Sequence, residues 1–242
     1  MQNEIINNPL IRRFMSTQSL SGRCRLGVHV QWQRWLWRWL LHGAGIAKRA
    51  TDIIASAAAL VALTPLFALI VLLIKLEDGG PVIFKQTRVG KFGREFKMYK
   101  FRSMCLGAEA RLRELLAKNQ HKEGVTFKVK DDPRITRTGR WLRKFSLDEL
   151  PQFYNVLKGD MSLVGPRPPV PREVALYSLA DRRRLAAMPG ITCFWQISGR
   201  SEIDFSGQVK LDVQYIESQK FLVDVKILVK TVPAVLSGKG AC

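Results

Sequence analysis

The chain has 242 residues, 47% of them hydrophobic and 24% charged, which is enough apolar material for a sizeable core and excludes disordered, collagen-like and coiled-coil classes. Thirty-nine Lys and Arg against twenty Asp and Glu leave a formal net charge of +19, which implies a polyanionic partner: nucleic acid, an anionic bilayer surface or a phosphorylated substrate. Cys24, Cys105, Cys193 and Cys242 have neither zinc-site spacing nor the density of a disulfide scaffold, so they read as thiols in a reduced, cytoplasmic environment. The first 50 residues carry eight basic side chains ahead of any long apolar stretch, so no cleavable export signal is expected.

Residues 1–45 form the first block. Gln31 to Leu41 mixes four tryptophans with two arginines, a composition suited to a bilayer interface, where indoles sit at headgroup depth and guanidinium groups meet phosphates. The plainer alternative is a short helix whose tryptophans pack on the protein core.

The second block, residues 46–76, contains the apolar run Ile53 to Ile74, twenty-two residues without a charge. A straight helix of that length reaches about 33 Å, enough to cross a hydrocarbon layer of about 30 Å. Pro65 argues against a straight span, because it removes a backbone donor and disfavours helical geometry at Thr64, whose hydroxyl is in turn able to satisfy a freed carbonyl. Lys48 and Arg49 precede the run and Lys75 follows it, so positive charge favours translocation of neither end. A re-entrant helix-break-helix with Thr64-Pro65 at the break, both ends cytoplasmic, fits this balance.

The third block, residues 77–242, reads as a compact mixed domain. Pro81 to Arg88 and Glu95 to Phe101 are expected to pair as a hairpin around Gly90-Lys91-Phe92-Gly93. Helices are expected over Ala108 to Ala117 and over 139–145, 149–158, 170–187 and 206–217, with much of the remainder as Pro- and Gly-punctuated loop.

Within Asp131 to Pro169 the residues Arg134, Arg137, Arg140 and Arg143 recur every third position, close enough for some of them to converge on one anion. Asp148 and Glu149 stand adjacent in this basic stretch. One reading is a capping box, since Ser146-Leu147-Asp148-Glu149 matches S-x-x-E, although Pro151 sits awkwardly for a helix that starts there. The other is chemical: a carboxylate among arginines suits attack on phosphorus, and a second one beside it suits Mg²⁺. Gly165-Pro166-Arg167-Pro168 presents an arginine on a rigid loop, and Pro189 to Thr192 followed by Gln196 to Arg200 presents another. No Walker A, G-x-G-x-x-G, H-E-x-x-H or G-x-S-x-G pattern occurs, and His29, His42 and His121 are isolated.

Lys48-Arg49 with Asp52, the apolar run with its central Thr64-Pro65, Tyr99 to Met104, SLDELPQ at 146–152, NVLKGDMSLVGPRP at 155–168, PGIT at 189–192 and QISGR at 196–200 together resemble the bacterial sugar transferases. The similarity is to monotopic phosphoglycosyltransferases that begin exopolysaccharide and other surface glycans, and it covers about residues 46 to 242. It implies transfer of a sugar 1-phosphate from a UDP-sugar to undecaprenyl phosphate, with release of UMP, on the cytoplasmic face of the bacterial inner membrane. It further implies Asp148 as nucleophile, Glu149 (with Asp148) holding Mg²⁺, and Arg143, Arg167, Arg200, Lys100 and Arg102 as phosphate or nucleotide contacts. Two departures are Cys193-Phe194, where the family commonly has Gly-Leu, and Thr64-Pro65 in place of Ser-Pro.

The expected fold is mixed α/β and mostly helical: an interfacial N-terminal extension, a re-entrant membrane helix and a small cytoplasmic catalytic domain with a short β-hairpin. The expected partners are the UDP-sugar, undecaprenyl phosphate and inner-membrane lipid, with no nucleic acid; the sugar and the oligomeric state stay open. The rival from another class is a basic membrane-surface protein that binds nucleic acid or anionic lipid without catalysis. It accounts for the charge and the tryptophans but not for an Asp-Glu pair among arginines.

Overall fold

The computed structural model describes residues 20–111, 132–199 and 203–238, and the chain forms two compact units, residues 1–48 and 49–242. The described part of the first unit is helical and belongs to α1 (Leu20–Ala62). There the Trp32 and Trp35 rings stack with centroids 5.3 Å apart, and both are more than half exposed, so neither is packed into a core.

In the second unit, α1 stops at Ala62 and α2 (Thr64–Asp78) begins after the single residue Leu63, with the helices on either side of the break bent by 60°. Pro65 at the start of α2 supplies no N–H, and the Thr64 hydroxyl donates to the Leu60 carbonyl at 3.0 Å, which satisfies a group that the break would otherwise strand. Among the described residues no single helix is long and apolar enough to cross a membrane; the bent pair passes that test by length and composition.

Two polar side chains ahead of the break tie α1 to the rest of this unit. The Arg49 guanidinium donates to the carbonyls of Val156 (2.6 Å) and Leu157 (2.8 Å) at the end of α4 (Gln152–Lys158), and the buried Asp52 carboxylate accepts from Leu163 N–H at 3.0 Å in β3 (Ser162–Val164). A cation at a helix C-terminus meets orphaned carbonyls there.

The hairpin forms as expected, with β1 (Ile83–Val89) antiparallel to β2 (Glu95–Phe101) and Ile83 opposite Phe101. Asn155, fully buried, joins this hairpin to α4: its Oδ1 accepts from Tyr99 N–H at 3.0 Å and its Nδ2 donates to the Lys97 carbonyl at 2.7 Å. One apolar cluster gathers Met98, Val156, Met161, Leu163, Val164, Tyr215 and Ile227; a second sets Ile70 and Ile74 of α2 against Phe101 and Leu142. Burying four such side chains contributes roughly 1.5–3 kcal/mol each before entropy is counted, so the second half of the bent pair is anchored to the domain beneath it.

The expected helix over 139–145 is α3 (Arg137–Lys144), and that over 149–158 is a 3-10 turn, Leu147–Glu149, followed by α4. The expected helix over 170–187 does not form as one piece. It divides into α5 (Pro171–Val174) and a 3-10 helix, Asp181–Ala186. The cause is local: Ser178 Oγ donates to the Asp181 carboxylate at 2.7 Å and accepts from Asp181 N–H at 3.2 Å, a side-chain turn that competes with helix continuation. Ala108 to Arg111 are turn, not helix, and the rest of the helix expected over Ala108 to Ala117 lies outside the described residues.

Further elements fall in stretches expected to be mostly loop. A parallel pair joins β3 to β4 (Gly190–Thr192), and α8 (Phe221–Ser237) follows α6 (Phe194–Ser198) and α7 (Phe205–Glu217), the last at the place expected for 206–217.

Candidate active site

Asp148 and Glu149 project from the 3-10 turn that follows α3. Ser146 enters the turn in the left-handed region (φ 53°), and its side chain makes no capping bond, so the capping-box reading fails. A regular helix starts only at Gln152, after Pro151, which has no N–H to be capped. The Glu149 carboxylate instead accepts from Lys100 Nζ at 2.7 Å and from Arg167 Nη1 at 2.9 Å. Lys100, on β2, also lies 3.6 Å from Asp148 Oδ2. Four charged side chains from three parts of the chain thus converge, all well buried except Arg167, whose side chain is about a third exposed.

The two carboxylates are electrostatically unequal. Burial raises the Asp148 carboxyl above its ordinary value, with Lys100 opposing the rise and Glu149 adding to it. Burial also disfavours the Glu149 anion, but Arg167 and Lys100 outweigh it by charge and hydrogen bond and hold Glu149 well below the usual carboxylate range. Burial lowers Lys100 despite both acids. As pH falls, therefore, Asp148 takes a proton first while Glu149 stays ionised, the asymmetry that lets adjacent carboxyls take different roles.

Arg167 is aimed by the backbone around it. Gly165 N–H bonds the Thr192 carbonyl at 3.0 Å, and Gly190 N–H bonds the Pro166 carbonyl at 2.9 Å, so the GPRP and PGIT segments lie against each other. A Cβ at Gly165 would meet Met188 O at 2.2 Å, and one at Gly190 would meet Gly165 N at 2.1 Å; both clashes are with backbone, so only glycine permits this approach. From the other side, Val89 N–H bonds the Pro169 carbonyl at 2.9 Å, and Arg88 Nη1 donates to the Pro168 carbonyl at 3.0 Å.

These groups open on a cavity of about 860 Å³ that is lined, among others, by Arg88, Lys100, Arg143, Asp148, Glu149 and Arg167. That size suits a nucleotide sugar. Of the four arginines recurring every third residue, Arg134 and Arg143 line the cavity, whereas Arg137 and Arg140 are exposed outside it. Arg134 is buried and forked onto Asp132, with Nη2 2.6 Å from Oδ2 and Nε 2.9 Å from Oδ1. Arg143, in the last turn of α3, lowers the Asp148 carboxyl by its charge.

Arg102 lies on the cavity wall but pairs through Nη2 with Asp78 at the end of α2. Arg200 lies outside the described residues. Sequence reasoning passed over Arg88 and Arg184, each an unremarked basic residue in a stretch rich in them; only the buried partners found in the fold distinguish them from surface arginines.

A family model described as bacterial sugar transferase matches residues 43–238. The galactosyl transferase CpsE of Streptococcus agalactiae is 57% identical over 166 residues, which cover 68% of this chain and 37% of CpsE. The exopolysaccharide production protein ExoY of Rhizobium meliloti is 42% identical over 200 residues, covering 81% of this chain and 88% of ExoY. The undecaprenyl-phosphate galactose phosphotransferase of Salmonella typhimurium is 46% identical over 198 residues, covering 80% of this chain and 41% of that protein. The chain therefore spans about two fifths of the length of two of these relatives and most of the third.

Proposed function

The chain belongs to the bacterial sugar transferase family, and from that premise we propose that it transfers a sugar 1-phosphate from a UDP-sugar to undecaprenyl phosphate, releasing UMP, in exopolysaccharide or other surface-glycan synthesis. The observation that carries this reading is the Asp148–Glu149 pair set against Lys100 and Arg167 in a cavity of nucleotide-sugar size. A protein that only binds anionic surfaces has no use for two buried carboxylates held between a lysine and an arginine.

In the proposed mechanism an Asp148 oxygen attacks the phosphorus that bears the sugar. A bond forms between Asp148 and phosphorus, and the bond to the bridging oxygen breaks with its electron pair leaving on UMP. An oxygen of the polyprenyl phosphate then attacks the same phosphorus and returns Asp148 as a carboxylate. Arg167, Arg143 and Lys100 offset the charge that gathers on the phosphates, the first of them through a planar fork suited to phosphate oxygens.

The family's expected Mg²⁺ fits the donors present. Among the described residues no group of three or more His, Cys, Asp or Glu forms an all-protein cage, and Mg²⁺ is commonly held by one or two carboxylates plus phosphate and water. Glu149 and Asp148 would hold it, and when bound it supplies neutralising charge to the diphosphate. Membranes carrying the protein are expected to release UMP from a UDP-sugar only when undecaprenyl phosphate and Mg²⁺ are both supplied in steady state. Turnover unaffected by chelator would remove the metal from this account, and no UMP from any UDP-sugar would remove the activity.

The bent pair is proposed to dip into the inner membrane and return, with the catalytic domain on the cytoplasmic face. Its support is the 60° bend, the Thr64 hydroxyl that satisfies the break, and the basic residues on both flanks. Single cysteines at positions 45 and 78, in a chain without the native ones, are expected to react only after the cytoplasmic face is opened. Labelling of either from outside intact cells would establish a span instead.

A further inference from the structure

The turn that bears Asp148 rests on the second half of the bent helix pair. A 3-10 turn repeats about every three residues, so Leu147 and Leu150 fall on one side of it and leave Asp148 and Glu149 to the other. The two leucines pack on the cluster in which Ile70 and Ile74 of α2 meet Phe101 and Leu142, while the two acids line the cavity. Helix α2 also holds the element that leads into this turn. At the start of α3 the Glu77 carboxylate, from the last turn of α2, accepts from Arg137 N–H at 2.8 Å through Oε1 and from Thr138 N–H at 3.1 Å through Oε2. Thr136 Oγ1 accepts from Gly139 N–H at 2.9 Å, and Arg140 N–H bonds the Thr136 carbonyl at 2.9 Å. The first four N–H groups of α3 are thus all satisfied, and α2 supplies the acceptor for two of them.

Resting on the function proposed above, we propose that Glu77 is a positioning residue for the reaction: from the end of the bent pair it fixes the start of α3, and through α3 it places Arg143 and the turn that carries Asp148. Three observations carry this. Glu77 is exposed and does not line the cavity, so its influence on the reacting groups must pass through the helix it holds. Helix α3 has only eight residues, too few to be stable alone, so its direction is set by what grips it: Glu77 at its first turn, the Ser103 carbonyl packed where a Cβ on Gly139 would stand, and the α2 cluster around Leu142. Its far end is the working end, since Arg143 lies in the last turn and lines the cavity beside Asp148. A carboxylate suits the task because its charge complements the helix N-terminus and its two oxygens meet two successive N–H groups. Seating of the bent pair and alignment of the nucleophile are in this way one mechanical unit.

The test compares Glu77→Ala and Glu77→Gln with the wild type, each as the full-length protein in detergent. Given UDP-sugar and Mg²⁺ without a polyprenyl acceptor, the amplitude of the UMP burst counts competent molecules, and its rate reports how well Asp148 meets phosphorus. Glu77→Ala is expected to slow both the burst and kcat by about ten-fold or more at intact amplitude, because a misplacement of about 1 Å can cost about 10²-fold. Glu77→Gln keeps an acceptor oxygen for one of the two N–H groups and is expected to recover part of that rate. A wild-type rate in Glu77→Ala overturns the inference, as does a Glu77→Gln protein no faster than Glu77→Ala. A smaller burst at unchanged rate also overturns it, and makes Glu77 a cap that serves stability alone. Wild-type turnover without a burst counts against the covalent step only, and the same comparison is then read from kcat at matched fractions of folded protein. Absent UMP release from the wild type removes the proposed activity itself, and the inference with it.

Discussion

Asp148→Asn is expected to abolish turnover, by about 10⁴-fold or more, without unfolding the protein. The amide keeps the size of the carboxylate, and among the described residues the only ion pair lost is the long one to Lys100 at 3.6 Å, so the melting temperature should stay close to that of the wild type. The wild type, given UDP-sugar and Mg²⁺ without a polyprenyl acceptor, should gain one phosphosugar on Asp148 and release one equivalent of UMP, as read by intact-protein mass spectrometry. An unmodified wild type with full turnover would argue for direct transfer between the substrates, and an active Asp148→Asn would take this residue out of the mechanism. The acid limb of kcat/KM adds a separate check. Asp148 must be ionised to attack and its carboxyl is raised by burial, so activity is present above that raised value and lost as pH falls through it. The limb should therefore lie above the ordinary aspartate range, and Lys100→Gln, by removing the cation that opposes the rise, should move it higher still. A limb at the ordinary value would mean that Asp148 is more hydrated than its surroundings here indicate.

Glu149→Gln should be damaging in two measurements at once. Lys100 and Arg167 would lose the carboxylate they meet at 2.7 and 2.9 Å, and removing one partner of a buried pair typically costs about 3–5 kcal/mol because the other charge is left behind. Lys100 keeps Asp148 nearby and Arg167 is partly exposed, so the lower end, about 3 kcal/mol, is expected in a detergent melt. Activity should fall by about 10² or more, since the variant lacks both the charge that orients Arg167 and a carboxylate donor for Mg²⁺. The double variant Glu149→Gln with Lys100→Met should recover much of the melting temperature and none of the activity. A Glu149→Gln protein with ordinary stability and rate would return the residue to a surface acid.

The parts of this architecture legible in the sequence were those written in local chemistry. Thr64-Pro65 sets the break because a missing N–H acts within one helical turn, and the hydroxyl that compensates is its sequence neighbour. The hairpin was legible from alternating side chains around a glycine turn. Where meaning depended on distant partners the sequence was mute. The S-x-x-E pattern at 146–149 is locally a cap, yet Glu149 answers to Lys100 and Arg167, which are 49 and 18 positions away. Helix α8 escaped notice because its period is blurred: Val223, Ile227 and Leu228 pack inward while Leu222, Val225, Val229, Val232 and Leu236 are exposed, with Pro233 in its interior. The β3–β4 pair, three residues a side, is too short to leave a pattern and is held by backbone contact between segments 25 or more residues apart.

That backbone contact bears on how variation in this protein is tolerated. Because the GPRP loop hangs from main-chain bonds to Thr192, Gly190 and Val89, the backbone position from which Arg167 extends toward Glu149 does not depend on the identity of most neighbouring side chains. It is acutely sensitive to a single added methyl group at residue 165 or 190, where the obstacle is peptide and has nowhere to go. Residues with no side chain to offer a reaction thus govern the accuracy with which the backbone of one arginine is placed, and an inventory of catalytic side chains would leave them out.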